Sequence, residues 1–484
     1  MMVSLLLCTP LLFALFCALA PSNRWIGRLS LLGLGLVLIQ VLDLSYGVIQ
    51  NGPLDAGMWY IDDISVIFLL LMAVISFLVG IYALSYIGHE LHEGVLTPRD
   101  SRFYHVFIQL FLFTMLLVLV VDSLGLMWIA IESTTLASAF LVGFYKKEES
   151  LEAAWKYIMI CSVGIALALM GVTLMYASSL DVFGDSSRAL DWSVLKGVAA
   201  TLDPTLLKLS FIFIIAGYGT KAGLAPMHTW LPDAHSQAPS PVSAMMSALL
   251  LNCAMYGIIR FHVITEAAVP GFSSSLLLGF GLVSVAVAAL FISITTDLKR
   301  MLAYSSIEHM GIVAIALGIG GTWGTVGAVI HIAAHSLTKS MLFLSAGDIV
   351  QKYGTRDIAS ITGVLKSIPW SGRFFTAGCL GIVGLPPFPI FLGEAIIVYA
   401  ALQSGDFLVA ALFLVLLLMV FVAFTYRFVP MLGGDSGLEP SPSPLSRLLP
   451  MGILLIMGLA LGLVLPGPVL EFLQDVAAQI GGVL

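Results

Sequence analysis

Residues 219–241 read GTKAGLAPMHTWLPDAHSQAPSP, and this stretch decides the fold. It follows the apolar run Leu206–Ala216 and sets Lys221, Pro226, His228, Pro232, Asp233 and His235 into otherwise hydrophobic sequence. A lysine at bilayer depth costs about 2.5–3.5 kcal/mol even on a lenient insertion scale, so it needs a partner, water or a task. Pro226 has no N–H to offer the carbonyl of Ala222, and Gly217, Gly219 and Gly223 loosen the same turn. An interrupted transmembrane helix that carries an ionisable group marks an ion path. The alternative is a proline-kinked helix whose lysine reaches back to the surface.

Composition agrees with a membrane setting. Of 484 residues, 59% are hydrophobic and only 10% charged, which excludes an ordinary soluble domain and makes the lipid bilayer the solvent. Function must then reside in the few polar groups left inside. The net charge of −7 and the lack of a basic tail give no reason to expect nucleic acid as a partner. The five cysteines (Cys8, Cys17, Cys161, Cys253, Cys379) form no CxxC, and neither a dinucleotide fingerprint nor a P-loop occurs. The expectation is no cofactor in this chain, with energy coming from a partner or an ion gradient.

Fourteen apolar stretches have spanning length, from 3–20 to 448–467, with the stretches at 206–230 and 373–402 interrupted by proline. The first lacks a basic start and reads as a retained helix rather than a cleaved signal. The expected fold is an all-α polytopic membrane protein, because backbone groups in lipid must bond within their own segment or within a closed barrel. Lys and Arg gather in the connections after odd-numbered helices: Arg24, Arg99, Arg102, Lys146, Lys147, Lys299, Arg300, Lys352 and Arg356. Those connections therefore read as cytoplasmic and both termini as outside. Spacings hint at duplication: Lys221 and Glu394, Glu132 and Glu308, and Arg260 and Arg427 are each separated by similar distances. Helices four to eight would repeat as nine to thirteen, and an odd number of helices per unit makes the repeat inverted. The expected units are 1–102, 103–263, 264–432 and 433–484.

Few ionisable groups fall inside the spans. Glu132 lies mid-span in LGLMWIAIESTTLASAF, and we expect it to interact with Lys221; the alternative is a protonated glutamate bonded to a carbonyl. Lys156 starts the sixth span and is either a relay or an interfacial anchor. His331, His335 and Lys339, spaced four apart in VIHIAAHSLTKSMLF, share one helix face and can hand protons along it. HxxxH can also bind a metal, but no carboxylate flanks it and no HExxH occurs, so no metal is expected. Glu308 and His309 are adjacent in the tenth span, so at most one faces that stripe squarely. Glu394 follows Pro386, Pro387 and Pro389, which deprive Ile382, Val383 and Leu385 of their helical donors; it is the expected exit group of the second half.

Four motifs now carry a resemblance over nearly the whole chain: GYGTKAGLAPMHTWLPDAHSQAPSPVSAMM, TDLKRMLAYSSIEHMGI, HIAAHSLTKSMLFLSAGDI and GLPPFPIFLGE. The sequence resembles the antiporter-like membrane subunits of respiratory complex I, of cation/proton antiporters and of energy-converting hydrogenases. Its SSIEHMG variant looks most like the component F branch of hydrogenase-4. The resemblance implies about fourteen helices, two inverted five-helix repeats, and broken helices 7 and 12. It implies proton translocation driven by redox work in other chains: further membrane subunits and a peripheral redox arm. By motif it gives roles to Glu132, Lys221, Lys339 and Glu394. Complex I relatives of the M type place a lysine in the eighth helix where this chain has Asn252, which cannot carry a proton charge, so water or the histidines must link the halves. Two other functions are compatible: a cation/proton antiporter subunit without redox partners, or a structural membrane subunit.

Overall fold

Each apolar stretch folds as a helix, and short polar connections supply the residues that start them. Asp62 caps one helix by accepting from the Ser65 amide, Thr97 and Asp100 form a reciprocal capping box at the next, and Asp203 and Asp297 cap two more. The structure, a computed structural model, describes residues 2–184 and 188–481; the outermost ends of the expected units, residue 1 and residues 482–484, lie outside that range.

The first six spans are α1 (Met2–Leu19), α2 (Asn23–Asn51), α3 (Asp63–His92), α4 (Pro98–Val120), α5 (Leu124–Val142) and α6 (Glu148–Phe183). The seventh is split into α7a (Pro204–Ala222) and α7b (Trp230–Gln237). Then come α8 (Ser240–Ala268), α9 (Phe272–Ile294), α10 (Leu298–Ile319) and α11 (Gly321–Tyr353). The twelfth is split into α12a (Pro369–Ile382) and α12b (Pro389–Gln403), followed by α13 (Phe407–Leu432) and α14 (Leu445–Leu463). Among the described residues thirteen helices are long and apolar enough to cross a membrane, and the broken twelfth completes the expected fourteen. The chain is a multi-pass membrane protein.

Several helices outrun their apolar cores: α2, α6 and α11 continue by up to a few turns into polar sequence, where no hydropathy signal marks the end. The stretch read as one span at 206–230 stops at Ala222, because Gly223 adopts a left-handed conformation with φ 80°. Elements without a spanning signal among the described residues include a small hairpin pairing Leu54–Ala56 with Trp59–Ile61, the short helix Trp192–Val198, and the helix α15 (Gly467–Gly481).

Helix α8 is buried along nearly its whole length, and α10 and α11 are almost as enclosed. By contrast α13 shows Leu408, Leu412, Leu418, Val422 and Tyr426 outward, as suits a lipid-facing helix. Polar side chains on α8, α10 and α11 therefore sit in the interior, where each needs a partner. Helix α8 contains a π-helical turn at Met246–Leu250, two residues before Asn252.

The two breaks share one local design. The helix ends at a left-handed glycine, Gly223 or Gly384 (φ 71°), and the amide of the next leucine turns back to bond Gly219 or Leu380. In each, that leucine's carbonyl then accepts from the amide three residues on, Met227 or Phe388. Leu385 thus recovers the partner that the prolines denied it. The register of the breaks is 161 residues (384 − 223), not the spacing of Lys221 and Glu394, so these two residues lie on opposite sides of their breaks. The arginines also differ. Arg260 is buried in a bidentate pair with Asp62, whereas Arg427 is half-buried and donates to the Ser293 carbonyl.

Candidate functional site

In the first half, α6 and α7a pack almost backbone to backbone. A Cβ on Gly217 would lie 2.5 Å from the Gly164 carbonyl oxygen, so only glycine permits this approach. The close packing brings the last turn of α7a against α5 and α6. Lys221, 1% exposed, donates from Nζ to Thr135 Oγ1 (2.8 Å) and to Tyr157 Oη (2.5 Å). The Tyr157 ring centroid lies 4.6 Å from Nζ and the Trp230 ring 5.9 Å, giving the ammonium a partly aromatic cage. Trp230 Nε1 donates to the Thr220 carbonyl at 2.7 Å and so ties α7b back to α7a across the break.

Glu132 is half-buried on α5 and does not touch Lys221. Its Oε2 accepts from Thr135 Oγ1 at 3.1 Å and its Oε1 from Ser162 Oγ at 2.9 Å. The charges are joined by one shared hydroxyl.

In the second half, Lys339 is fully buried and its ammonium donates to the Leu302 carbonyl and Ser305 Oγ on α10. Next along the same face come His335 and His331, and α10 contributes His309 between them. His309 Nδ1 and His331 Nε2 share a hydrogen bond at 2.9 Å, and the His309 and His335 rings are 5.2 Å apart. Of the adjacent pair, His309 is thus the residue that joins the stripe directly. Glu308 is buried with Oε2 unpartnered and lies within electrostatic reach of Lys339 and Glu394.

Beyond the histidines, α12b passes so close that a Cβ on Gly393 would lie 3.1 Å from His331 Nδ1. Glu394 follows, 8% exposed, and its carboxylate folds back over the break: a Cβ on Gly384 would collide with Glu394 Oε2. Glycine at 384 is required both for its positive φ and for that carboxylate. From the face of the odd-numbered connections inward, the order is Lys339, His335 with His309, His331 and Glu394.

The halves meet at Asn252. Its Nδ2 donates to the Ala248 carbonyl inside the π-helical turn and to Ser336 Oγ on α11, both at 2.7 Å, while its Oδ1 is unpartnered. Ser336 adjoins His335 in sequence, so Asn252 is placed against the second-half stripe. Lys156 is elsewhere: its side chain is 48% exposed and pairs with Glu152 (2.6 Å) and Asp233 (3.4 Å), the latter also held by Arg300.

The sequence reading missed Thr135, Tyr157, Ser162, Ser305 and Ser336. A weak signal existed for some: Thr135 and Ser336 lie within one turn of Glu132 and Lys339. Tyr157 and Ser162 have no such signal, since only the packing of α6 on its neighbours brings the first to Lys221 and the second to Glu132.

This architecture, with two broken helices and a line of buried ionisable side chains between two half-units, is that of an antiporter-like membrane subunit. Residues 121–420 match the family described as NADH:quinone oxidoreductase/Mrp antiporter, TM, and residues 52–104 match NADH-Ubiquinone oxidoreductase (complex I), chain 5 N-terminus. The chain belongs to this NADH:quinone oxidoreductase/Mrp antiporter family. It is 41% identical to the hydrogenase-4 component F homolog of Methylacidiphilum infernorum, over 86% of this chain and 87% of that protein. The fold matches a chain of an archaeal respiratory membrane complex, the membrane-bound sulfane sulfur reductase, with a TM-score of 0.87 and 24% identity, covering 99% of this chain and 97% of the other. It also matches a chain of the Mrp complex from Dietzia sp. DQ12-45-1b, with a TM-score of 0.85 and 21% identity, covering 99% and 97%. Relatives of this chain are thus components of multi-subunit membrane complexes.

Proposed function

We propose that this chain translocates protons as one membrane subunit of an oxidoreductase complex of the hydrogenase-4 or complex I type. It would sit in a bacterial or archaeal cytoplasmic membrane with both termini outside, and redox work in a peripheral arm of other chains would drive it. The observation that carries this reading is the enclosed amine of Lys221, bonded to two hydroxyls and linked through Thr135 to Glu132. An amine so placed is coupled to the carboxylate through the shared hydroxyl, so a move of Glu132 changes the field at its nitrogen.

In the mechanism, residues 103–263 and 264–432 act as two units. Direct pairing of Glu132 with Lys221 holds the proton; return of Glu132 to Thr135 and Ser162 releases it. Asn252 carries no charge, so the proton crosses to the second unit by water beside Asn252 and Ser336. The His335, His309 and His331 face then leads to Glu394, which discharges to the outside. Lys339 adds or withdraws a positive charge at the end of that face nearest the odd-numbered connections.

Proton flux in inverted membrane vesicles containing the assembled complex tests the reading. Lys221→Ala is expected to abolish flux while the complex still assembles. Flux and coupled turnover both at the wild-type level would refute translocation through this chain.

A further inference from the structure

A cleft of about 1310 Å³ opens on the face that carries the connections after helices α3, α5, α9 and α11. Its walls come from the end of α3, the start of α10, the end of α11 and the segment 441–444 that leads into α14. Of the acidic and basic residues that line it, none used by the mechanism above, two are buried without an ion pair. Glu90, at the end of α3, is 7% exposed; its Oε1 accepts from Tyr145 Oη (2.8 Å) and Gln351 Nε2 (3.3 Å), and its Oε2 has no partner. Lys299, in the first turn of α10, is 3% exposed, and its ammonium donates to the Ala238 carbonyl. The two are within electrostatic reach of each other without forming an ion pair.

Ala238 follows the last turn of α7b, three residues after His235. That imidazole is fully enclosed, and neither ring nitrogen has a partner. Its ring lies 6.2 Å from Trp230 and 5.7 Å from Phe343. Trp230 lies 5.9 Å from the Lys221 ammonium, and Phe343 lies 5.9 Å from that of Lys339. His235 is therefore set between the lysines of the two halves, directly inward of the cleft.

We propose that Glu90 and Lys299 are the proton-loading pair of this chain, taking protons from the cleft and passing them to His235, which serves both halves. This inference rests on the transport reading above. A proton from cleft water binds the unpartnered Oε2 and neutralises Glu90. Transfer to the neutral amine of Lys299 restores the carboxylate, and transfer onward to a neutral His235 nitrogen restores the amine. Tyr145 and Gln351 hold the carboxylate in place.

The test measures initial proton flux in vesicles containing the assembled complex. Glu90→Gln preserves shape and an acceptor for Tyr145, and flux is expected to fall at least about tenfold, with Glu90→Asp restoring most of it. Lys299→Met is expected to fall as far. Wild-type flux in Glu90→Gln beside lost flux in Lys221→Ala overturns the loading pair alone; wild-type flux in both overturns translocation itself. An assay independent of folding uses Glu93→Cys, at the exposed rim of the cleft, in a Cys8→Ser chain. Attaching a bulky thiol reagent after assembly is expected to slow flux, and unchanged flux after complete modification overturns the cleft as the uptake route.

Discussion

Glu132 and Lys221 are separated by the hydroxyl of Thr135, which lies 2.8 Å from the ammonium and 3.1 Å from the carboxylate. One small side chain thus connects the two charges. A rotation of Thr135 about χ1 breaks both bonds together and leaves the carboxylate held by Ser162 alone.

Thr135→Val keeps the shape of the side chain and deletes the hydroxyl. Leaving a buried ammonium short of a partner costs about 1–3 kcal/mol. Flux is expected to fall roughly tenfold, since about 1.4 kcal/mol corresponds to a factor of ten in rate. Thr135→Ser should stay near the wild type. Vesicle flux normalised to assembled complex reads this out, and equal flux in Val and Ser variants removes Thr135 from the mechanism.

Gly384→Ala should reproduce most of the effect of Glu394→Gln. The added methyl meets Glu394 Oε2 and sits at a positive φ, a conformation that costs an ordinary L residue about 1–2 kcal/mol. The variant is expected to lose both thermal stability in detergent and proton flux. A variant with lowered stability and full flux would show that the carboxylate need not lie over the break.

Arg260 and Asp62 form a buried bidentate pair at 2.6 and 2.7 Å, with Ser65 and Tyr256 completing the guanidinium's bonds and the Trp192 ring 4.0 Å away. Removing one partner leaves an uncompensated charge and costs about 3–5 kcal/mol. Arg260→Leu and Asp62→Asn are each expected to reduce the amount of folded protein recovered from membranes. Arg260→Lys should rescue little, because an ammonium cannot make the two parallel bonds. Near-normal recovery of Arg260→Leu would argue that α8 and α3 are held by apolar packing alone.

Lys156→Ala is expected to change little. An exposed ion pair contributes about 0–1 kcal/mol, and this lysine is distant in bonding from the Lys221 cage. Flux within about twofold of the wild type is the expected result. A large loss would bring Lys156, Asp233 and Arg300 into the transport path.

Much of the architecture was legible in the residue order. Long apolar runs in a chain with so few charges allow only spanning helices, and prolines at 226 and 386–389 dictate where two of them break. The breaks' shared glycine-leucine turn explains why GLAPM and GLPPF look alike, whereas Arg260 and Arg427, though similarly spaced, bond differently, one to a buried carboxylate and the other, half-buried, to a backbone carbonyl. The ends of α6 and α11 were not legible, because a helix needs no apolar residue once it leaves the bilayer.

What the sequence determined by itself is that Glu132, Lys221, Lys339 and Glu394 belong to apolar segments of spanning length, since hydropathy is a local property of each segment. Only the tertiary structure decided what stands between them. Thr135 bridges the first pair, His309 joins the α11 histidines, Ser336 meets Asn252, and Lys156 turns out to the surface. The physical reason is that hydrogen-bond partners here come from different helices. Their rotation about their own axes is set by glycine contacts such as Gly164 with Gly217, and apolar sequence reports depth but not rotation.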